Sequence, residues 1–309
     1  MNLNQNNINE FLNKYTSFVD EISEVYKYNS NIKHLLYLIV PAFVYKYGLE
    51  NESVIFQCFK EVEIYVSEKK DNYVYATFNR LLKKGKTGYY TEKFIVLNDY
   101  SSTGLPTLID NIVHEFNHAI NSINNEITYD NKLIYVRTGL SRLIYNKDDL
   151  KFIKKTDEVA LEEIINTNDT EEVINIINSF GKYNIDNMEI ANLIYAMNGE
   201  TNGIDYVSSA YSYQKSICKS LLNNKTFLPT IKNLRIKGYV DDIPNLFDSV
   251  IGIKGSYDKL NKSLSEMYLL IIKYSNSKFL KRHYLNKIRD KSDIVSNLIY
   301  DYEKKCIFR

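Results

Sequence analysis

The tightest constraint on this chain is residues 106 to 124, where apolar side chains recur at three- and four-residue steps. Ile109, Ile112, Val113, Phe116, Ile120 and Ile123 make up the stripe, the spacing of one face of a buried helix. Pro106 suits its first turn, where a missing N–H leaves no bond unmade. On this helix stands His114-Glu115-Phe116-Asn117-His118. Residues four apart share a helix face one turn apart, so both imidazoles can reach a single ion. Zinc takes nitrogen ligands at about 2.0–2.1 Å, and a catalytic site uses three protein ligands with one position left for water. Water so bound has a pKa of roughly 7. Glu115, next to His114 on the helix edge, suits the proton-accepting role and not that of a ligand. The chain has only four histidines, and two of them are here.

Around this helix the pattern predicts an α+β chain. Residues 8 to 47 read as two helices, with Ile8, Phe11, Leu12 and Tyr15 at helical spacing. Val62, Ile64 and Val66 alternate with polar neighbours. After the turn-like Lys70-Asp71-Asn72 comes a strand over Tyr73 to Leu82, and after Gly85-Lys86-Thr87-Gly88 another over Tyr89 to Leu97, together an antiparallel meander. A short hairpin over Ile127 to Arg137 ends at Gly139, and from residue 140 onward the pattern is helical. Asp169 with Glu172 resembles a capping box opening a helix over Glu171 to Phe180. The expected organisation is a helical segment 1–50, a sheet with the histidine helix over 51–125, and a helical subdomain 126–309 carrying the third metal ligand.

Two histidines do not complete a catalytic zinc site. In the extended pattern HExxHxxGxxH the later Gly and His would fall on Asn121 and Asn124, which excludes it. Cys58, in Phe-Gln-Cys-Phe, lacks the glycine-flanked setting of a deformylase-type ligand. A Glu on a later helix remains. Here the chain resembles the gluzincins, the thermolysin-like superfamily of zinc peptidases, whose third ligand lies in a segment of the type A-L-N-E-A-I-S-D. This chain has Ala160-Leu161-Glu162-Glu163-Ile164-Ile165-Asn166-Thr167. The resemblance implies Glu163 as the third ligand of one zinc ion, a zincin-like fold, and Asn166 or Thr167 beside a ligand histidine. Thr167 stands where the family often has Asp. Glu162 competes with Glu163, because successive helical residues differ by about 100° in direction and only one can face the metal.

Such enzymes place a Tyr, His or Arg against the oxyanion. Tyr211, Tyr213, Arg137 and His283 are the candidates, with Tyr211 and Arg137 put forward. In the resembling superfamily the last strand before the histidine helix is an edge strand that pairs with extended peptide; Tyr89 to Leu97 takes that place. The expected activity is therefore zinc-dependent hydrolysis of a peptide or protein substrate. The alternative is a zincin-fold regulatory or binding protein acting through partner contacts without proteolysis. Acids and bases are interspersed and the formal charge is +1, so no whole-chain field draws nucleic acid or an anionic membrane. Three scattered cysteines make no disulfide framework. The polar N-terminus lacks a secretory leader, and no apolar run reaches bilayer length. A cytoplasmic protein is the expectation.

Overall fold

The computed structural model describes residues 3–69, 76–201 and 211–306. The fold is α+β, and its contacts divide it into two compact units, Met1–Ile120 with Asp169–Val207, and Asn121–Asn168 with Ser208–Arg309.

The first unit opens with α1 (Ile8–Lys14), α2 (Thr16–Tyr26) and α3 (Ser30–Tyr47), three helices where two were expected. Asn29 caps α3 by accepting from Ile32 N at 3.0 Å, the role for which Asn is favoured. From Leu35 to Val44 every side chain of α3 is buried, which makes it the spine of this unit. A further helix, α4 (Glu52–Glu61), precedes β1 (Val62–Val66), β2 (Ala76–Lys84) and β3 (Tyr89–Leu97). The turn at Lys70-Asp71-Asn72 and the expected strand start at Tyr73 lie outside the described residues. The sheet order is β1-β3-β2, with β3 parallel to β1 and antiparallel to β2. This corrects the expected meander: Tyr89–Leu97 is the central strand and not an edge. Alternation of apolar residues identifies strands, but the order comes from how the connections pack.

Next in this unit comes α5 (Leu105–Ile120), burying Ile109, Ile112, Val113, Phe116 and Ile120. The long helix α6 (Val159–Phe180) is unbroken; its residues from Asp169 onward belong to the first unit and those before it to the second. The expected helix start at Asp169 is therefore corrected. Asp169 lies inside α6, fully buried, with its carboxylate 2.9 Å from Lys46 Nζ. That ion pair, and not a helix cap, accounts for an acid there. The unit's last helix is α7 (Met188–Thr201).

The second unit has its own antiparallel sheet, β4 (Ile127–Tyr129), β5 (Leu133–Thr138), β6 (Ser141–Asn146) and β7 (Phe152–Lys155), in that order. Two strands thus lie where helix was expected beyond residue 140. Thr138 pairs with Ser141 across Gly139 and Leu140, and Gly139 has φ +57°. Glycine with positive φ at the first central position is the chemistry of a tight hairpin. Six helices follow: α8 (Ser212–Ile217), α9 (Lys219–Leu222), α10 (Phe227–Lys237), α11 (Ile243–Ile251), α12 (Ser256–Asn276) and α13 (Lys281–Cys306). Phe227, Phe247, Tyr257 and Tyr302 pack together in their core, with the Phe247 and Tyr302 rings stacked at 4.8 Å.

Gly139 also meets a buried charge. Glu162, almost fully buried, accepts from Leu140 N at 2.7 Å and pairs with Arg235. A Cβ on residue 139 would overlap that carboxylate. Gly139→Ala is expected to lower the unfolding free energy by at least about 2 kcal/mol, from left-handed strain and a displaced buried acid; urea denaturation measures it.

Candidate metal centre

The apolar stripe of α5 leaves its polar residues on a narrow remaining face. His114 is half-buried and His118 buried, their ring centroids 5.0 Å apart and nearly perpendicular. Glu115 is buried, and its Oε2 accepts from Phe78 N at 2.8 Å. Phe78 lies opposite Ile95 in the β2–β3 pair, and β2 is an outer strand of the sheet. An N–H that bonds Glu115 is turned away from β3, so the edge of β2 opposite β3 faces α5. The last residue of the motif to be fixed is Asn117. It accepts from the Tyr47 hydroxyl at 2.8 Å and donates to Thr170 Oγ1 at 3.2 Å.

Among the described residues, one donor atom each of His114, His118 and Glu163 lie within 4.8 Å of one another. A tetrahedral zinc with bonds of about 2.1 Å would draw such atoms to roughly 3.4 Å apart. Two imidazoles and one carboxylate are a donor set suited to zinc. Glu162 is committed elsewhere, to Arg235 and Leu140 N, so the geometry groups Glu163 with the histidines.

Tyr211 stacks on Tyr268 with centroids 4.5 Å apart. Burial first, and then the Glu163 carboxylate, push its phenol well above the ordinary range, leaving it a proton donor at neutral pH. Arg137 is buried, and its guanidinium donates to the backbone carbonyls of Asn121, Asn124, Gly139 and Arg235. It ties the 121–124 segment and the end of α10 to its own hairpin within the second unit. Tyr213 and His283 are exposed. Asn166 and Thr167 are buried, and Thr167 Oγ1 makes no hydrogen bond.

One residue was not singled out from the sequence. Asp110 stands one turn before His114 on the same face of α5, and its buried Oδ1 accepts no hydrogen bond. Burial pushes its carboxyl up to about 6, while His114 pulls it back down. A metal-ligating histidine commonly donates its second N–H to a carboxylate, so an orphaned carboxylate beside His114 fits a site built for an ion. The spacing of Asp110 to His114 and His118, four and eight residues, was the available signal.

In the metal-free protein the folded state keeps the Asp110 proton at pH values where the unfolded chain has lost it. Stability is therefore withdrawn as pH rises from about 4 to about 6. Asp110→Asn is expected to stabilise the metal-free protein by about 2 kcal/mol near neutral pH, with the two proteins converging below about pH 4. The same change is expected to weaken zinc binding by about 10–100-fold. Urea midpoints across pH and zinc competition titrations check the two halves. No family model, curated protein or solved structure matches the chain, so what this site can do follows from its own geometry.

Proposed function

We propose that this chain is a zinc-dependent peptidase of the gluzincin kind, with His114, His118 and Glu163 as ligands and Glu115 as the general base. The observation that carries the reading is the convergence of these three donors beside a carboxylate that is not one of them. A zincin-like arrangement is supported by a small sheet whose outer strand β2 borders the histidine helix through the bond from Phe78 N to Glu115.

Bound zinc supplies a water acidified to a pKa of roughly 7 and a Lewis acid for the substrate carbonyl. The remaining work belongs to the chain. Glu115 lies next to His114 and takes the proton from the attacking water, then returns it to the leaving amine. Its bond from the Phe78 amide orients the carboxylate, with the other oxygen left for the water. Tyr211 keeps its proton and can donate to the oxygen that becomes negative as the carbonyl is attacked. An extended peptide can pair with the outward amides and carbonyls of β2 other than the Phe78 N–H, which Glu115 holds, a recognised mode of peptide binding. This puts substrate along Ala76–Lys84 and not along the central strand Tyr89–Leu97.

Protein purified without a histidine tag is expected to hold one zinc per chain by elemental analysis, and Glu163→Ala to lose it. Glu115→Gln should keep the zinc and lose at least about a hundredfold of peptide-mixture hydrolysis. Tyr211→Phe should keep the zinc and lower turnover by about a hundred- to a thousandfold, the scale of one oxyanion donor. A zinc-loaded wild type that cleaves nothing across a broad peptide library would favour the non-proteolytic binding protein instead.

A further inference from the structure

Helices α12 and α13 form an antiparallel pair joined by the four residues Ser277 to Leu280. From Met267 to Arg289 the sequence contains six basic residues, Lys273, Lys278, Lys281, Arg282, Lys287 and Arg289, and no acid. The rest of the chain holds 33 basic against 38 acidic residues, a net −5. The boundary of this basic zone is visible in the fold, where Lys291 pairs with Glu266 across the two helices. Ten residues separate Glu266 from the end of α12, so the outer roughly 15 Å of the hairpin carries one sign of charge. Beyond a Debye length of about 10 Å at 0.1 M salt, acids elsewhere in the chain do little to offset it.

At the apex of this basic zone stands Phe279, 93% exposed, followed by Leu280 at 54%. Ile272 and Leu269 are exposed along α12 behind them. The turn is tied by local hydrogen bonds. Ser277 Oγ accepts from Leu280 N at 2.9 Å, and Leu280 O accepts from Tyr284 N at 3.0 Å. Phe279 is thus presented from an ordered turn. Among the described residues no helix is long and apolar enough to cross a membrane, and a surface contact needs no such helix.

We infer that the tip of the α12–α13 hairpin docks onto an anionic lipid bilayer, with Phe279 and Leu280 entering the headgroup–acyl boundary and Lys278, Lys281 and Arg282 pairing with lipid phosphates. Charge complementarity selects an acidic surface, and the exposed apolar residues choose between acidic surfaces. Leu280 gains from an acyl boundary and gains nothing by stacking on nucleic-acid bases, where aromatic and guanidinium groups are the useful ones. One basic residue near an anionic surface adds about 1 kcal/mol, which is about fivefold in partition.

The chain has no tryptophan, so Phe279→Trp supplies a single reporter at the apex. Its emission is expected to shift to the blue with vesicles of mixed phosphatidylglycerol and phosphatidylcholine, and to stay unchanged with phosphatidylcholine alone. Vesicle co-sedimentation of the otherwise unaltered chain should fall about a hundredfold when Lys278, Lys281 and Arg282 are all changed to Gln. It should also fall with Phe279→Ser, while far-UV circular dichroism stays the same because these side chains are exposed. Absence of a shift with the anionic vesicles overturns the inference, as does equal binding to neutral ones. Binding of an oligonucleotide that depends on the basic residues but not on Phe279, without vesicle binding, also overturns it in favour of a nucleic-acid partner. The assay needs no zinc, so its outcome is separate from that of the proposed hydrolysis.

Discussion

The way α5 meets the C-terminal part of α6 depends on the side chain of Asn117, which is fully buried and bonded at both ends. Its oxygen accepts from Tyr47, and its nitrogen donates to Thr170. Seven residues make almost two full helical turns, so Thr170 and Glu163 share one face of α6. Lys46, buried against Asp169, adds a second tie one residue earlier. Turning α6 about its axis would break both and strand buried polar groups, at about 1–3 kcal/mol for each neutral group and more for the charged pair. The orientation of this part of α6 is therefore set by polar bonds of Asn117 and Lys46.

Neighbouring acids on one helix then take opposite parts. Glu162 turns about 100° away from Glu163 into a site with Arg235, Leu140 N and the bare Cα of Gly139. Removing Arg235 would leave an uncompensated buried carboxylate, so the pair is a structural fixture of the second unit. The Arg137 guanidinium next to it serves the same end, since its donors go to four carbonyls. A charged residue near a candidate site is thus explained by backbone groups that have no other partner once the chain folds back on itself.

This division marks what a sequence can disclose. The histidine helix was legible because its information is local: periodicity, a proline near the start, and a four-residue spacing. The position of β3 was not, because the alternation in Tyr89–Leu97 says strand but not which strands flank it, and a parallel β1 neighbour is a non-local fact. The use made of Glu162 was equally hidden, since Arg235 lies more than seventy residues away in the chain. Asp169 misled for a related reason. Aspartate before a Glu three residues on does mimic a helix start, but Lys46, from a distant helix, supplied a different use for the charge. Asp110 could have been read from its spacing to the two histidines, but an acid on a helix is usually solvated. Only its buried Oδ1, which accepts no hydrogen bond, makes it notable.

Net charge shows the same limit from the other side. A formal charge of +1 describes a chain of mixed sign only if the signs are mixed in space, and the hairpin tip shows that they are not. A surface is sensed through the charges within about one Debye length of it, and near this apex that count is strongly positive. A neutral whole-chain balance therefore excludes long-range steering by the entire protein but says nothing against a small, rigid patch. The exposed phenylalanine sharpens the point. A basic patch alone is sensitive to salt, whereas an apolar wedge adds a contact that salt does not screen, so the two together would bind an anionic interface more firmly than either alone.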